Sequence, residues 1–324
     1  MNDKNLFKLL LVSEDVEDQR IIEDELRSAK FEVYLRRVYR EVEISMALDA
    51  ENYDLVLIDH MLIIFSALQV VELLKQRKIE TPYLVLYGSV TDITAIELLE
   101  RSGIHQYVTK SHIQTLGGAI QREIEQAGAR MAHRLEIEET TLALIAAFGR
   151  AAALKDKGTE DHTLRVTELA LRLAREVGIT KQTLVNVQRG SLLHDIGKLG
   201  IPDSILLNAG PLTDEQWVIM KTHPQLAYTL LYPIKALRGA LAIPFSHHCK
   251  WDGSGYPGKL GGDLIPLEAR IFSVVDVYDA LTNNRPYRDA WTKQRTLEHI
   301  ASESGFSFDP EIVKIFMKMM EAGR

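Results

Sequence analysis

The hydrophobic pattern of the sequence changes near residue 120, and this change constrains the fold more than any other feature. Before it, short apolar runs alternate with amphipathic stretches. The runs are residues 8–12, 53–58, 83–86 and, more weakly, 106–108. Stretches such as 17–29 and 67–77 repeat their apolar residues at helical spacing. Because strands that alternate with helices form parallel sheets covered on both faces, residues 1–120 are predicted to be a doubly wound α/β domain.

The pattern after this point is helical. Residues 118–154 contain no proline and interleave charged with apolar side chains, which predicts one long helix or two collinear helices. This segment either only connects two domains or also pairs with its twin in a dimer. The remainder concentrates its Pro and Gly residues in a few loops and is predicted to be all-α. The expected organisation is a domain at 1–120, a linker helix at 121–150 and a helical domain at 151–324.

The composition narrows the class of protein. A chain of 324 residues exceeds a single typical core, so two domains are expected. The net charge of −7 argues against non-specific nucleic-acid binding. Cys249 is the one cysteine, so no internal disulfide can form, as is usual in a reducing cytoplasm. The N-terminal apolar run of about seven residues is too short for a signal peptide or a membrane span. A soluble cytoplasmic protein without nucleic-acid or membrane partners is expected.

The helical half places histidines and aspartates in conspicuous surroundings. Five of the ten histidines lie there in distinctive segments: His162, His194, His223, His247 and His248. Asp195 and Asp276 sit within equally apolar runs. Imidazole and carboxylate together suit Fe, Mn and Zn, and a carboxylate can bridge two ions in a two-metal hydrolase. The set therefore predicts a metal cluster.

The motifs that carry these residues resemble a known family. In order they read "HDIGKLGIPD", "MKTHP", "SHHCKWDGSGYPGKLGGDLIPLEARI" and "VVDVYDALTNNRPYRDAW". They resemble the HD-GYP proteins, metal-dependent phosphodiesterases that act on the bacterial messenger cyclic di-GMP. The resemblance covers residues 151–324 and implies hydrolysis to the linear dinucleotide, with full cleavage to GMP requiring a second round.

The resemblance also implies roles for individual residues. The ligands of one metal would be His162, His194, Asp195 and Asp276. Those of the second would be Asp195, His223, His247 and His248, with Asp195 bridging. Lys198 would lie near the scissile phosphate, where it can stabilise developing charge or protonate the leaving oxygen. Substrate contacts would come from Tyr256, Arg285 and Arg288. Two divalent ions are expected, with Fe favoured, Mn next and Zn less favoured.

Two positions depart from the family pattern. Where the family usually has a glutamate that helps to hold a third metal, this sequence has Gly158, so a two-metal site is expected. Glu160 or Asp161 could substitute only through a shifted backbone. Cys249 stands where glutamate is common after the two histidines. It is either a neutral replacement outside the ligand set or a thiolate ligand, since Zn and Fe accept sulfur.

Residues 6–118 resemble the receiver domain of response regulators, which has the flavodoxin-like doubly wound fold. Asp59 matches the phosphate-accepting aspartate and Lys110 the lysine that contacts the phosphoryl group. The usual acidic pair after the first strand reads Ser13-Glu14, which makes a Mg²⁺ site doubtful because this ion needs oxygen ligands in near-octahedral geometry.

Further departures leave two hypotheses for this domain. Tyr87 replaces the usual switch Ser/Thr, and Ser111 replaces the proline after the lysine. Either Asp59 is phosphorylated with altered kinetics, or the domain is a pseudo-receiver that binds a partner or dimerises without phosphate. The apolar loop at 62–65 indicates either local packing or a protein contact.

The predicted function is an active cyclic di-GMP phosphodiesterase coupled to a receiver-like regulatory domain. Two alternatives remain open. The protein could be a weak or inactive sensor or scaffold that keeps the fold and the metals. It could also be an enzyme for a related cyclic dinucleotide, because base contacts are not readable from the motifs.

Overall fold

The computed structural model describes residues 6–63, 65–88, 107–156, 160–284 and 289–322. The chain divides into two compact units, of which the first reaches to Ile137 and the second begins at Glu138. None of the helices in these described ranges combines the length and the apolar character needed to cross a bilayer.

The first unit contains a five-stranded parallel sheet. Its strands are β1 (Phe7–Val12), β2 (Val33–Val38), β3 (Leu55–Asp59), β4 (Tyr83–Tyr87) and β5 (Tyr107–Thr109). They are ordered β2-β1-β3-β4-β5, and every neighbouring pair is parallel. The intervening helices are α1 (Val16–Ser28), α2 (Glu41–Ala50) and α3 (Ala67–Gln76). This strand order is that of flavodoxin-like doubly wound sheets, so the predicted fold class of this half is confirmed.

Alternation along the strands explains why both faces of the sheet are covered. In β1, Leu9 and Leu11 belong to one buried cluster with Ile22 and Leu26 of α1. Leu10 and Val12 point the other way, into a cluster that includes residues of α2 and α3. All residues of β3 are buried, as expected for the central strand of such a sheet.

The second unit is helical. A long helix, α4 (Leu116–Lys155), spans the residue at which the two units divide. The helices that follow are α5 (Glu160–Val177), α6 (Lys181–Leu192), α7 (Asp203–Leu206), α8 (Asp214–Met220), α9 (His223–Leu231), α10 (Ala242–Ser246), α11 (Leu267–Thr282), α12 (Lys293–Ser302) and α13 (Pro310–Ala322). The predicted all-α class of this half is confirmed.

Helices α5, α11 and α13 contribute to the largest apolar cluster of this unit. Phe272 and Phe316 are the largest of its fully buried side chains. Capping residues set several helix starts: Thr180 accepts from the backbone N–H of Thr183, and Thr213 from that of Gln216. Metal-ligand candidates are carried on the helices around this cluster, which holds them in place.

Candidate metal centre

His194 and Asp195 follow Leu193, the residue that caps the end of helix α6. Lys198 lies in the short 3₁₀ turn that follows, Ile196–Gly200. Gly197 of this turn packs so closely on α9 that a Cβ atom would lie 1.9 Å from the backbone oxygen of His223. Glycine therefore allows the turn that carries Lys198 to approach the helix that carries His223.

The structure brings all seven predicted metal ligands together in two groups. The first is formed by Asp195, His223, His247 and His248, and the second by His162, His194 and Asp276. Within each group the donor atoms lie within 4.8 Å of one another. The residues come from α5, the end of α6, the start of α9, the segment after α10, and α11. Tertiary packing, not local sequence, thus assembles the cluster.

Asp195 lies between the two groups. Its Oδ2 is 3.2 Å from Nε2 of His194. Its Oδ1 is 3.6 Å from Nε2 of His223 and 3.8 Å from Nε2 of His247. Each oxygen therefore faces a different set of imidazoles, which is the arrangement a bridging carboxylate requires.

In each fully buried histidine of the cluster, the ring nitrogen that faces away from Asp195 has a hydrogen-bond partner. In His194, His223 and His247, Nδ1 lies within hydrogen-bond distance of a backbone carbonyl. These acceptors are the oxygens of Ser191, Met220 and Ile243, at 2.9, 2.9 and 3.0 Å. A proton donated from Nδ1 leaves Nε2 as the lone-pair nitrogen. The Nε2 atoms of His223 and His247 are buried and have no hydrogen-bond partner among the described residues. Such orphaned acceptors fit metal ligation, in which the second nitrogen is held by a protein acceptor.

Burial keeps three of these imidazoles neutral. It lowers the pKa of His223, moves that of His247 well below its ordinary value and brings that of His248 to about 4. Neutral imidazole is the form that binds a metal. Burial would raise the pKa of Asp195, but the charges of Lys198 and His194 lower it well below its ordinary value. The group formed by Asp195, His223, His247 and His248 is thus deprotonated near neutral pH.

His162 is held differently, by two carboxylates. Its Nε2 is 3.4 Å from Oδ1 of Asp276, and its Nδ1 is 2.7 Å from Oδ2 of Asp279. Burial lowers the pKa of His162, but the hydrogen bonds to Asp276 and Asp279 outweigh it and raise that pKa to about 9. A cation bound between His162 and Asp276 would take the place of the Nε2 proton.

Asp279 and Arg165 were not predicted as site residues. Arg165 donates to Asp279 through Nε at 2.6 Å and through Nη2 at 2.9 Å, a bidentate pair. Asp279 in turn orients the ring of His162. The signal was present in the spacing, since Asp279 follows Asp276 by one helical turn, and Arg165 follows His162 in the same way.

Lys198 lies beside the bridging carboxylate. Its Nζ is 2.8 Å from Oδ2 of Asp195 and 2.7 Å from Oδ2 of Asp156. Burial lowers the pKa of Lys198, but the two carboxylates more than compensate and raise it above its ordinary value. The side chain is therefore a permanent cation. Asp156, the second anchor, was not predicted.

Tyr256 also adjoins the cluster. Its ring stacks on His248 with 4.6 Å between the ring centres. Cys249 is buried, its thiol donates to the backbone oxygen of Tyr256 at 3.5 Å, and it belongs to neither ligand group. This supports the neutral-replacement interpretation of Cys249. The predicted contacts of Arg285 and Arg288 and the ligand loss at Gly158 lie outside the described residues, as do the side chains of Glu160 and Asp161.

The first unit has its own polar pocket at the carboxyl ends of β1 and β3. Asp59 is buried there, and Nζ of Lys110 is 3.0 Å from its Oδ2. The same Nζ lies 2.8 Å from Oδ2 of Asp18 on α1. Ser13 donates to the same Asp18 oxygen at 2.7 Å. Asp18, which was not predicted, thus brings a second carboxylate to the pocket in which Ser13 replaces an acid.

The predicted partner Glu14 makes a different contact, because its Oε1 accepts from the backbone N–H of Ile63 at 2.8 Å. Tyr87 is buried, and its ring packs against that of His60 with 4.2 Å between centres. In the apolar loop, Leu62 is buried whereas Ile63 is 88% exposed. Within this loop, Leu62 therefore serves local packing, whereas Ile63 lies at the surface.

Comparison with known proteins places these features in context. A family model described as "HD domain" matches residues 147–312. The cyclic di-GMP phosphodiesterase response regulator RpfG of Xanthomonas campestris is 36% identical over 200 residues, 61% of this chain and 53% of that protein. A cyclic di-GMP phosphodiesterase of Vibrio cholerae is 33% identical over 269 residues, 74% of this chain and 55% of that protein. The 3'3'-cGAMP-specific phosphodiesterase 2 of the same organism is 36% identical over 186 residues, 57% of this chain and 36% of that protein.

The chain thus spans about half the length of the first two of these relatives. The resemblance predicted from the motifs is confirmed, because the relatives are phosphodiesterases of cyclic dinucleotides and one is a response regulator. The matched residues 147–312 contain both ligand groups and make up half of the 324-residue chain. The chain belongs to the HD domain family.

Proposed function

We propose that this protein is a metal-dependent phosphodiesterase that hydrolyses cyclic di-GMP to the linear dinucleotide, with the receiver-like unit as a regulatory domain. The observation that carries the proposal is the position of Asp195. Its two oxygens face separate histidine groups, and a lysine ammonium lies 2.8 Å away. Two cation sites joined by a carboxylate, with a fixed positive charge beside them, suit the cleavage of a phosphodiester.

The proposal assigns the ligands to two sets that share Asp195. One divalent ion would be held by His162, His194, Asp195 and Asp276, and the other by Asp195, His223, His247 and His248. When bound, such ions lower the pKa of a water molecule and polarise phosphoryl oxygens. Iron is proposed first and manganese second, because histidine and carboxylate ligands accept both. With glycine at 158, two ions per chain are expected.

Lys198 acts in this proposal as an electrostatic group. Because Asp195 and Asp156 raise its pKa, the ammonium keeps its protons and is a poor general acid. A compact cation near the scissile phosphate stabilises the negative charge that develops as the phosphorus becomes five-coordinate. Of its two predicted roles, charge stabilisation is therefore favoured over protonation of the leaving oxygen. Tyr256, Arg285 and Arg288 are proposed as substrate contacts.

A related substrate is the second candidate. The similarity to a 3'3'-cGAMP-specific phosphodiesterase, at 36% identity, favours testing the mixed cyclic dinucleotide beside cyclic di-GMP. A sensor or scaffold would instead bind the dinucleotide without turnover.

The test is a turnover assay of the full chain under anaerobic conditions with Fe²⁺ or Mn²⁺. Wild-type protein should convert cyclic di-GMP to the linear dinucleotide, and Asp195→Asn should lose both metal and activity. If the protein binds cyclic di-GMP but does not hydrolyse it with either metal, the result would contradict an enzymatic function and support the sensor hypothesis. Metal analysis gives a second readout: about two ions per chain supports the assignment, and about three contradicts it.

We further propose that the linker helix pairs with a second copy of the chain. Helix α4 leaves several large apolar side chains exposed, namely Met131, Leu135, Ile137, Leu144, Phe148 and Leu154. Light scattering of the wild type and of Leu144→Glu/Phe148→Glu tests this, with a dimer expected only for the wild type.

A further inference from the structure

An open groove of about 570 Å³ lies next to the candidate metal centre. It is lined by Asp214, Trp217, Val218, Lys221 and Tyr256. Tyr256 joins the groove to the metal centre, because its ring stacks on His248 and its centre lies 6.2 Å from that of the His223 ring. A volume of this size accommodates a nucleotide.

Trp217 offers this groove an aromatic surface. It lies on the short helix α8 and is 44% exposed. Lys221 follows one turn later, so both side chains lie on the same helix face, and His223 follows two residues after that. The chain therefore leads from the groove directly to a metal ligand. Exposed aromatic rings beside a cationic path are the means by which proteins hold unpaired bases, because every base has a π-face that can stack.

The groove also carries one charge of each sign. Nζ of Lys221 lies 5.7 Å from the centre of the Tyr256 ring. Across the residues that the structure describes, neither Lys221 nor Asp214 forms an ion pair. The Lys221 ammonium in this position can bind a phosphate oxygen. The Asp214 carboxylate in the same groove suits a ligand edge that presents two hydrogen-bond donors.

Guanine presents such an edge. Its N1–H and N2–H₂ groups are adjacent donors, which one carboxylate can accept together. Adenine has an acceptor at N1, which a carboxylate would repel. We propose that Trp217, Lys221 and Asp214 form with Tyr256 a base subsite, in which Trp217 stacks on one guanine and Asp214 selects it over adenine. This inference rests on the proposed cyclic dinucleotide substrate.

The test separates base recognition from the chemistry. Each variant is assayed for binding of the linear diguanylate and for hydrolysis of cyclic di-GMP, of cyclic di-AMP, which has no guanine, and of bis(p-nitrophenyl) phosphate. The last substrate carries no base, so its hydrolysis reports the metal centre alone. Trp217→Ala should weaken dinucleotide binding about tenfold, while Trp217→Phe keeps a stacking ring and should stay within about threefold of the wild type. Both should hydrolyse the base-free diester as the wild type does.

Asp214→Asn should reduce the preference for guanine over adenine about tenfold, because an amide can turn its donor towards adenine N1. Lys221→Gln should raise KM for both dinucleotides alike. A variant that loses as much activity towards the base-free diester as towards the dinucleotides would overturn the subsite and indicate a structural role for the residue. Unchanged dinucleotide binding in Trp217→Ala would also overturn the subsite. If the wild type binds the dinucleotide without hydrolysing it and Trp217→Ala loses that binding, the proposed function fails while the subsite stands.

Discussion

Nδ1 of His162 lies 2.7 Å from Oδ2 of Asp279, and this contact joins two residues that are 117 positions apart in the sequence. It commits the ring of His162 to present Nε2 towards Asp276. Arg165 neutralises Asp279 from the other side. The ligand set is therefore supported by an outer layer of charged partners.

Asp279→Asn should lower the affinity for Mn²⁺ about 10- to 100-fold, because the amide no longer orients His162 or raises the basicity of its ring. Titration calorimetry of the metal-free protein measures this. Asp263→Asn is the matched control, since the Asp263 side chain is 89% exposed and also pairs with an arginine, Arg270. Equal affinities in the two variants would contradict the role given to Asp279.

Lys198→Met should reduce kcat for cyclic di-GMP about a hundredfold while the metal content stays near the wild-type value. The methionine keeps the length of the side chain but removes the positive charge beside Asp195. Lys198→Arg should recover part of the rate. A variant that loses its metals would instead show that the ammonium is needed to stabilise Asp195.

Cys249→Ala should retain the full complement of metal. The thiol is buried among apolar neighbours, and burial raises its pKa, so it is not available as a thiolate. His248→Ala is the contrasting variant, because His248 belongs to a ligand group. Metal analysis of both proteins decides the matter, and a loss in Cys249→Ala as large as that in His248→Ala would make sulfur a ligand.

The metal-free protein should lose stability as the pH falls from about 6.5 towards 4. Burial lowers the pKa of His248 to about 4, so the unfolded chain binds more protons than the folded one in this interval. His248 alone contributes at most about 3 kcal/mol to this change. His162 has the opposite effect, because its pKa is raised to about 9 in the folded protein. Its contribution to the free energy of unfolding is fully present below about pH 6.5 and is lost as the pH rises through 9.

Urea unfolding of the metal-free protein at a series of pH values gives the free energy of unfolding as a function of pH, with an acid limb and an alkaline limb. His248→Gln should flatten the acid limb without affecting the alkaline one. An acid limb of unchanged slope in this variant would show that other groups control it.

Incubation with acetyl phosphate and Mg²⁺ should leave the intact mass unchanged. Asp59 is buried and ion-paired with Lys110, and Lys110 is shared with Asp18. Glu14 is engaged by the backbone of Ile63, so its carboxylate is partly withdrawn from metal binding. These contacts favour the pseudo-receiver hypothesis. A mass increase of one phosphoryl group, absent in Asp59→Asn, would establish phosphorylation instead.

Much of the fold is readable from periodicity. The central strands are nearly continuous apolar runs, and the sequence predicts β1, β3, β4 and β5. It does not predict β2 or α2, for a physical reason. The edge strand β2 contains Arg36 and Arg37, and in it only Val38 is buried. Helix α2 begins after Arg40, which is not one of the usual capping residues.

The candidate site divides in a similar way. Its predicted ligands are histidines and aspartates in recognisable motifs, and these residue types indicate metal binding. Asp279 and Asp18 lie within helices, and Asp156 directly follows one. Helical spacing indicates Asp279, but the importance of Asp156 and Asp18 appears only when distant segments pack together. Asp156 reaches Lys198 from 42 positions earlier, and no local pattern reports that contact.

The close contact at Gly197 has a consequence for how the metal centre forms. Two backbones touch there, so the separation of Asp195 and His223 depends on main-chain packing and hardly on side-chain rotamers. A frame of this kind is assembled by folding, before any ion arrives. Much of the entropy of arranging the ligands is then lost during folding, and an entering ion meets donors whose spacing it has little power to alter.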